Sequence, residues 1–144
     1  MNERVILLVE DNSTDESLTL RAFRKNNILN KVIVVRDGVE ALDYLFARGI
    51  HTARDAKKLP TVVVLDLSLP RSSGLDVLRA IRADERTKFL PVVILTSSKD
   101  DNSLLSAYGF GANSYVVKPV EFDEFTEALR HLGAYWLSLN EGPP

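Results

Sequence analysis

Four runs of mostly β-branched residues each end in a group able to do chemistry. Val5–Val9 (VILLV) leads into Glu10-Asp11, Val62–Leu65 (VVVL) into Asp66, Val92–Leu95 (VVIL) into Thr96, and Ser114–Val117 (SYVV) into Lys118-Pro119. Carboxylates, a hydroxyl and an ammonium are the groups that hold a hard cation and a cluster of anionic oxygens. Three carboxylates about 4 Å apart repel by roughly 4 kcal/mol per pair at an effective dielectric near 20. A divalent cation relieves that repulsion, and an all-oxygen site with few protein ligands favours Mg2+ over zinc. A phosphoryl group is the ligand that suits such a site best, with Lys118 as a fixed positive charge. Each residue alone has a plainer reading. Asp66 suits a turn, Glu10-Asp11 the start of a helix, Thr96 a strand and Lys118 a solvated position. The joint pattern is not explained that way.

These groups converge only if the strands that carry them lie parallel. The runs are continuous rather than alternating, as in strands buried on both faces, and Val32–Val35 (VIVV) makes a fifth. Helical spacing fills the intervals. It covers Asp15–Lys25 with Leu18, Ala22 and Phe23, Val39–Ala47 entered through Asp37-Gly38, Leu75–Ala83, about Asn102–Phe110, and a last segment from Glu121 toward Leu139. Five strand-then-helix pairs predict an α/β fold on a five-stranded parallel sheet, in one domain over residues 1–144. Ligands of such sheets bind beyond the carboxyl ends of the strands. The longest irregular connection, Arg48–Pro60, reads as a solvated loop, and His51 and His131 as solvated side chains.

Composition narrows the function classes. The chain has 144 residues, 45% apolar and 26% charged, with two His and no Cys. That fits one ordinary globular domain and leaves no disulfide framework or thiolate metal site. The longest apolar runs are too short for a membrane span, and Glu10-Asp11 follows Val5–Val9 where a signal peptide would be cleaved. A formal net charge of −2 gives no general pull toward nucleic acid. A cytoplasmic protein with no membrane and no nucleic-acid partner is expected.

The stretches VILLVEDN (Val5–Asn12), VVVLDLSLPRSSGLDVL (Val62–Leu78), PVVILTSS (Pro91–Ser98) and YVVKP (Tyr115–Pro119) resemble the receiver domain of two-component response regulators, over about residues 4–132. The resemblance implies a doubly wound, flavodoxin-like sheet in strand order 2-1-3-4-5. It makes Asp66 the phosphoacceptor, with Mg2+ held by Glu10, Asp11, Asp66 and the Ser68 carbonyl. Thr96 and Lys118 would stabilise the phosphoryl group, Thr96 and Tyr115 would form the switch, and Lys118-Pro119 would be a cis peptide. The implied activity is acceptance of a phosphoryl group from a histidine kinase, with no turnover of a separate substrate. The output is a changed face made by the fourth helix, fifth strand and fifth helix, or onward transfer to a histidine phosphotransfer protein.

The region after Glu121 adds a second expectation. Phe125, Leu129, Leu132, Trp136 and Leu139 are spaced 4, 3, 4 and 3 apart, like a heptad seam, with Tyr135 beside them. The first three can cover the sheet. Trp136 and Leu139 reach beyond it, which predicts a homodimer through this face, with Phe125, Leu129, Tyr135, Trp136 and Leu139 as its residues. Gly133 could end or bend the helix. Only about twelve residues follow His131-Leu132, too few for a DNA-binding output domain, so a single-domain regulator is expected. The long second loop and this tail resemble regulators paired with bacterial phytochromes.

Three other readings are open at this level. A flavin module on the same fold needs a phosphate cradle after the first strand, where this chain has Glu10-Asp11-Asn12. An aspartyl-phosphate hydrolase places its nucleophile on the first strand with a second Asp two residues on, whereas position 68 is Ser. A degenerate receiver used only for docking would not need the intact set of acids, hydroxyl and lysine.

Overall fold

A computed structural model of the chain describes residues 4–28, 30–67, 69, 73–97, 101–118 and 121–134. The strands are β1 (Ile6–Val9), β2 (Val32–Val35), β3 (Val62–Leu65), β4 (Val92–Thr96) and β5 (Ser114–Val117). The helices are α1 (Ser13–Lys25), α2 (Gly38–Phe46), α3 (Gly74–Ala83), α4 (Asp101–Gly109) and α5 (Phe122–Ala134). All four strand pairings are parallel, in the order β2-β1-β3-β4-β5. This is the flavodoxin-like doubly wound sheet.

The continuous apolar runs follow from a core on each side of the sheet. Leu7, Val9, Val63, Leu65, Val92 and Ile94 pack with Ala41, Leu45, Val77, Leu78 and Ile81 on the α2–α3 side. Their neighbours Ile6, Leu8, Val62, Val64, Val93 and Leu95 pack with Ala22, Phe23, Phe125 and Leu129 on the α1–α5 side. Successive side chains in a strand point to opposite faces, so every residue of a central strand must be apolar.

The helices begin one or two residues before the apolar spacing does, because polar caps set their starts. Asn12, Asp37 and Ser73 each accept the N–H three residues on, at 2.9, 2.8 and 3.2 Å. Such caps satisfy N–H groups that have no partner within the helix.

One sequence expectation is corrected here. Phe125 and Leu129, expected at a dimer interface, are buried at 6% and 0% exposure within one chain, because α5 lies flat on the sheet. Tyr135, Trp136 and Leu139 lie outside the described residues. α5 runs through Gly133 to Ala134. A Cβ on Gly133 would collide with Ile28 Cδ1 and lie 3.2 Å from Ile28 Cγ1, so the bare backbone is what admits Ile28.

The Arg48–Pro60 connection keeps Arg48, Asp55, Lys57 and Lys58 exposed, as a solvated loop does, but turns Arg54 and His51 inward. Arg54 stacks 3.7 Å above the Tyr44 ring and donates to the carbonyls of Tyr44 and Lys58. His51, in the short 3-10 turn Gly49–His51, is half-buried, 3.2 Å from Glu40 Oε2 and edge-on to Tyr44. His131 is exposed, as expected.

At the amino edge of the sheet, Arg82 donates to Gly111 O, Leu90 O and Asn113 Oδ1 at 2.9, 2.7 and 2.9 Å. Asn113 Oδ1 also accepts from Val92 N at 2.8 Å. These bonds tie the beginnings of β4 and β5 together. Among the described residues, no helix is long and apolar enough to cross a membrane.

Candidate functional site

Backbone hydrogen bonding carries the sheet one residue past its strands and sets the functional groups on one edge. Glu10 N donates to Val35 O at 3.0 Å, Asp66 N to Val9 O at 3.2 Å, and Lys118 N to Thr96 O at 2.7 Å. The start of α3 closes in from one side. Gly74 N donates to Leu67 O at 3.0 Å, and a Cβ on Gly74 would strike the Asp66 carbonyl and lie 2.6 Å from Leu67 Cα. Only glycine fits against the backbone that presents Asp66.

Lys118 is the hub. Its Nζ donates to Glu10 Oε1 at 2.5 Å, to Asp15 Oδ2 at 3.0 Å and to Asp66 Oδ2 at 3.1 Å. An ammonium has three hydrogens, and here each has a carboxylate. Burial works against the charge on Lys118, but the bonds to Glu10 and Asp15 and the field of Asp66 outweigh it and raise its pKa above the ordinary value. Glu10 is almost fully enclosed, and this burial, opposed by Lys118 and aided by the charge of Asp66, lifts its carboxyl to about 7.

Three carboxylates around one ammonium leave a deficit of positive charge. One oxygen each from Glu10, Asp15 and Asp66 lies within 4.8 Å of the others. Glu10 Oε2 is buried with no hydrogen-bond partner among the described residues. A buried anionic oxygen without a donor is strongly unfavourable. An all-oxygen pocket of this charge fits a hard divalent cation.

Of the residues expected from sequence, Glu10, Asp66 and Lys118 are thus brought together. Thr96, the last residue of β4, is buried at the same edge, and Tyr115 sits half-buried in β5, opposite Ile94. Asp11 is exposed and stands outside the three-carboxylate cluster, although the chain places it next to Glu10. Ser68 and the Lys118-Pro119 peptide lie outside the described residues. Asp15 was not foreseen as a site residue. An acid in the first turn of α1 has an ordinary role at the positive helix end, and only its closeness to Lys118 reveals another.

Comparison with known proteins agrees with this geometry. The chain is 40% identical over 139 residues to the probable methanogenesis regulatory protein FilR2 of Methanothrix harundinacea, covering 96% of this chain and 87% of that protein. It is 30% identical to the response regulator Rcp1 of Synechocystis, covering 93% of this chain and 89% of Rcp1. A crystal structure of Rcp1 in its Mn2+-bound form superposes with a TM-score of 0.88 at 29% identity, over 98% of this chain and 99% of that one. The phosphorylated cyanobacterial phytochrome response regulator RcpA superposes with a TM-score of 0.90 at 31% identity, over 99% of both chains. The sequence profile of the response regulator receiver domain matches residues 6–130, which span every strand and the acids, hydroxyl and lysine at their ends. The chain belongs to the response regulator receiver domain family.

Proposed function

We propose that Asp66 accepts a phosphoryl group from the phosphohistidine of a histidine kinase. The observation that carries this reading is Lys118 Nζ at 3.1 Å from Asp66 Oδ2, inside a cluster of carboxylates with an unpartnered buried oxygen. One Asp66 oxygen attacks phosphorus in line with the bond to be broken. The O–P bond forms, the N–P bond breaks, and the electron pair returns to the imidazole nitrogen. Lys118 neutralises charge gathering on the phosphoryl oxygens, and the Thr96 hydroxyl donates to one of them. The chain acts on itself and turns over no separate substrate.

Mg2+ is the cation we assign to the pocket, held by Glu10, Asp11, Asp66 and the Ser68 carbonyl; when bound, it supplies further charge stabilisation to the phosphoryl oxygens. The Mn2+-bound form of Rcp1 supports a divalent ion here. Phosphorylation draws Thr96 toward the new charge and frees space for the Tyr115 ring. The face formed by α4, β5 and α5 then changes population, with the phosphoryl group as the biasing ligand. Leu105 and Tyr108 on α4, 69% and 50% exposed, give that face an apolar surface for a protein partner.

The likeness to the cyanobacterial phytochrome response regulator RcpA supports a phytochrome-type histidine kinase as donor, and we propose a homodimer through the α4–β5–α5 face and a cytoplasmic location. The deciding experiment is intact mass after incubation with acetyl phosphate, with and without Mg2+, on the parent chain and on Asp66→Ala. One Mg2+-dependent phosphoryl adduct, absent from the variant, is expected. A parent chain that takes no adduct overturns the proposal and leaves a docking protein that works without phosphorylation.

A further inference from the structure

An acid at the third position of a helix ordinarily reaches back to the N–H of the N-cap residue. Asp15 holds that position in α1, after the cap Asn12. Its own N–H donates to Asn12 Oδ1 at 2.9 Å, and its carbonyl accepts from Thr19 Oγ1 at 2.8 Å. The turn that carries the carboxylate is therefore fixed on both sides. The carboxylate itself is turned away from the cap, and Oδ2 accepts from Lys118 Nζ, 103 positions along the chain.

This bond has a consequence for phosphoryl chemistry. All three hydrogens of Lys118 are committed, to Glu10, Asp15 and Asp66. A phosphoryl oxygen joined to Asp66 can inherit the hydrogen that Asp66 held, and any further bond to the ammonium displaces Glu10 or Asp15. The displaced carboxylate must be rehydrated, and access to water differs sharply. The side chains of Glu10 and Asp66 are 2% and 11% exposed, while that of Asp15 is 39% exposed. Asp15 is the acceptor that lets go at least cost.

Resting on the phosphoryl acceptance proposed above, we infer that Asp15 is a positioning residue for that step. It holds Lys118 in the unphosphorylated chain and releases it to the phosphoryl group. It also adds a negative charge to the cation pocket, within 4.8 Å of Glu10 and Asp66 oxygens and beside a buried Glu10 oxygen that has no hydrogen-bond partner among the described residues. Loss of the Asp15 charge therefore has opposite effects on the two ligands of the site. A cation loses an attraction, and a phosphoryl-like anion loses both a competitor for Lys118 and a repulsion.

The test uses the full chain, Asp15→Asn and Asp15→Glu, each checked for folding by its thermal midpoint. Mg2+ binding is measured by calorimetry, and binding of beryllofluoride, a phosphoryl mimic, at saturating Mg2+. Asp15→Asn is expected to weaken Mg2+ and tighten beryllofluoride, each by about three- to tenfold. Asp15→Glu is expected to move both constants back toward the parent. Constants within twofold of the parent, or two shifts in the same direction, overturn the inference.

A second measurement needs no variant. The Asp15 carboxyl carbon resonance of the parent should move when beryllofluoride binds, as its ammonium bond breaks, and an unmoved resonance overturns the inference. A parent chain that binds no beryllofluoride and takes no phosphoryl group from acetyl phosphate overturns the proposed function itself, together with this inference. That outcome is visible before any substitution at position 15 is made.

Discussion

Lys118 Nζ lies 2.5 Å from Glu10 Oε1, while the other oxygen of the same carboxylate is buried without a partner among the described residues. Glu10 is thus half satisfied by the lysine and half left for something else. Glu10→Gln keeps the volume and removes the charge. Mg2+ affinity should fall by about 10- to 100-fold, the usual range for a group that supports a metal site from its edge. Calorimetric titration of both chains reads the change, and equal affinities would show that Glu10 does not face the ion.

Gly74 packs against the backbone that presents Asp66, so a side chain there must push the two apart. Gly74→Ala is expected to destabilise the fold by about 1–3 kcal/mol, as overpacking does. It should also slow adduct formation from acetyl phosphate, because Asp66 moves relative to Lys118. Denaturant melts and time-resolved intact mass check the two effects. An unchanged rate in a folded variant would separate the loop from the site.

Leu129 is fully buried on the sheet-facing side of α5 and tests whether this helix serves the core or an interface. Leu129→Ala should lower stability by about 2–5 kcal/mol through the cavity it leaves. Unfolding at several protein concentrations decides the matter. A loss that does not depend on concentration places Leu129 in the monomer core, whereas a strongly concentration-dependent midpoint would return it to an interface.

Gly133 and Ile28 offer a double-mutant cycle. Replacing Gly133 by Ala improves helix propensity by about 1 kcal/mol, but the new Cβ meets Ile28 Cδ1. Ile28→Val removes that atom. Gly133→Ala should therefore stabilise the chain appreciably more when combined with Ile28→Val than in the parent. Additive effects would show that Ile28 yields freely.

Asp84 and Arg86 supply a pH prediction away from the site. Side-chain and backbone bonds from Arg86 hold the Asp84 carboxyl down at about 2. Its folded pKa is below the unfolded value near 4, so the stability it contributes is present above that value and disappears as pH falls toward about 2. Arg86→Gln should move the Asp84 titration, followed by carbon NMR, part of the way up toward the ordinary aspartate range, because the backbone N–H of residue 86 still donates to the carboxylate. Because the pair is exposed, added salt should shrink the difference.

The strand ends were legible in the sequence because parallel strands must deliver their carboxyl ends to one edge. Glu10, Asp66, Thr96 and Lys118 needed only the strand runs before them to be recognised. Asp11 and Asp15 show where such reasoning stops. Neighbouring residues in extended chain point opposite ways, so the enclosed position of Glu10 leaves its neighbour Asp11 toward solvent. Asp15 enters the cluster through the pitch and cap of α1, which bring the first turn back over the edge. Neither relation is encoded in residue type. The positions of Ile28 against Gly133 and of Arg54 over Tyr44 are tertiary in the same sense, since each joins segments that local spacing treats separately.

The bonds of Arg82 fasten one end of β4 and β5, as those of Lys118 fasten the other. The guanidinium ties Leu90, Gly111 and Asn113, so β4 and β5 begin at a common fixed point on the edge farthest from Asp66. Thr96 closes β4 and Lys118 follows β5, at the other end of the same two strands. The strand pair is fastened at both ends, by a guanidinium at one and an ammonium at the other, and only the second fastening is made of groups that a phosphoryl group on Asp66 would engage.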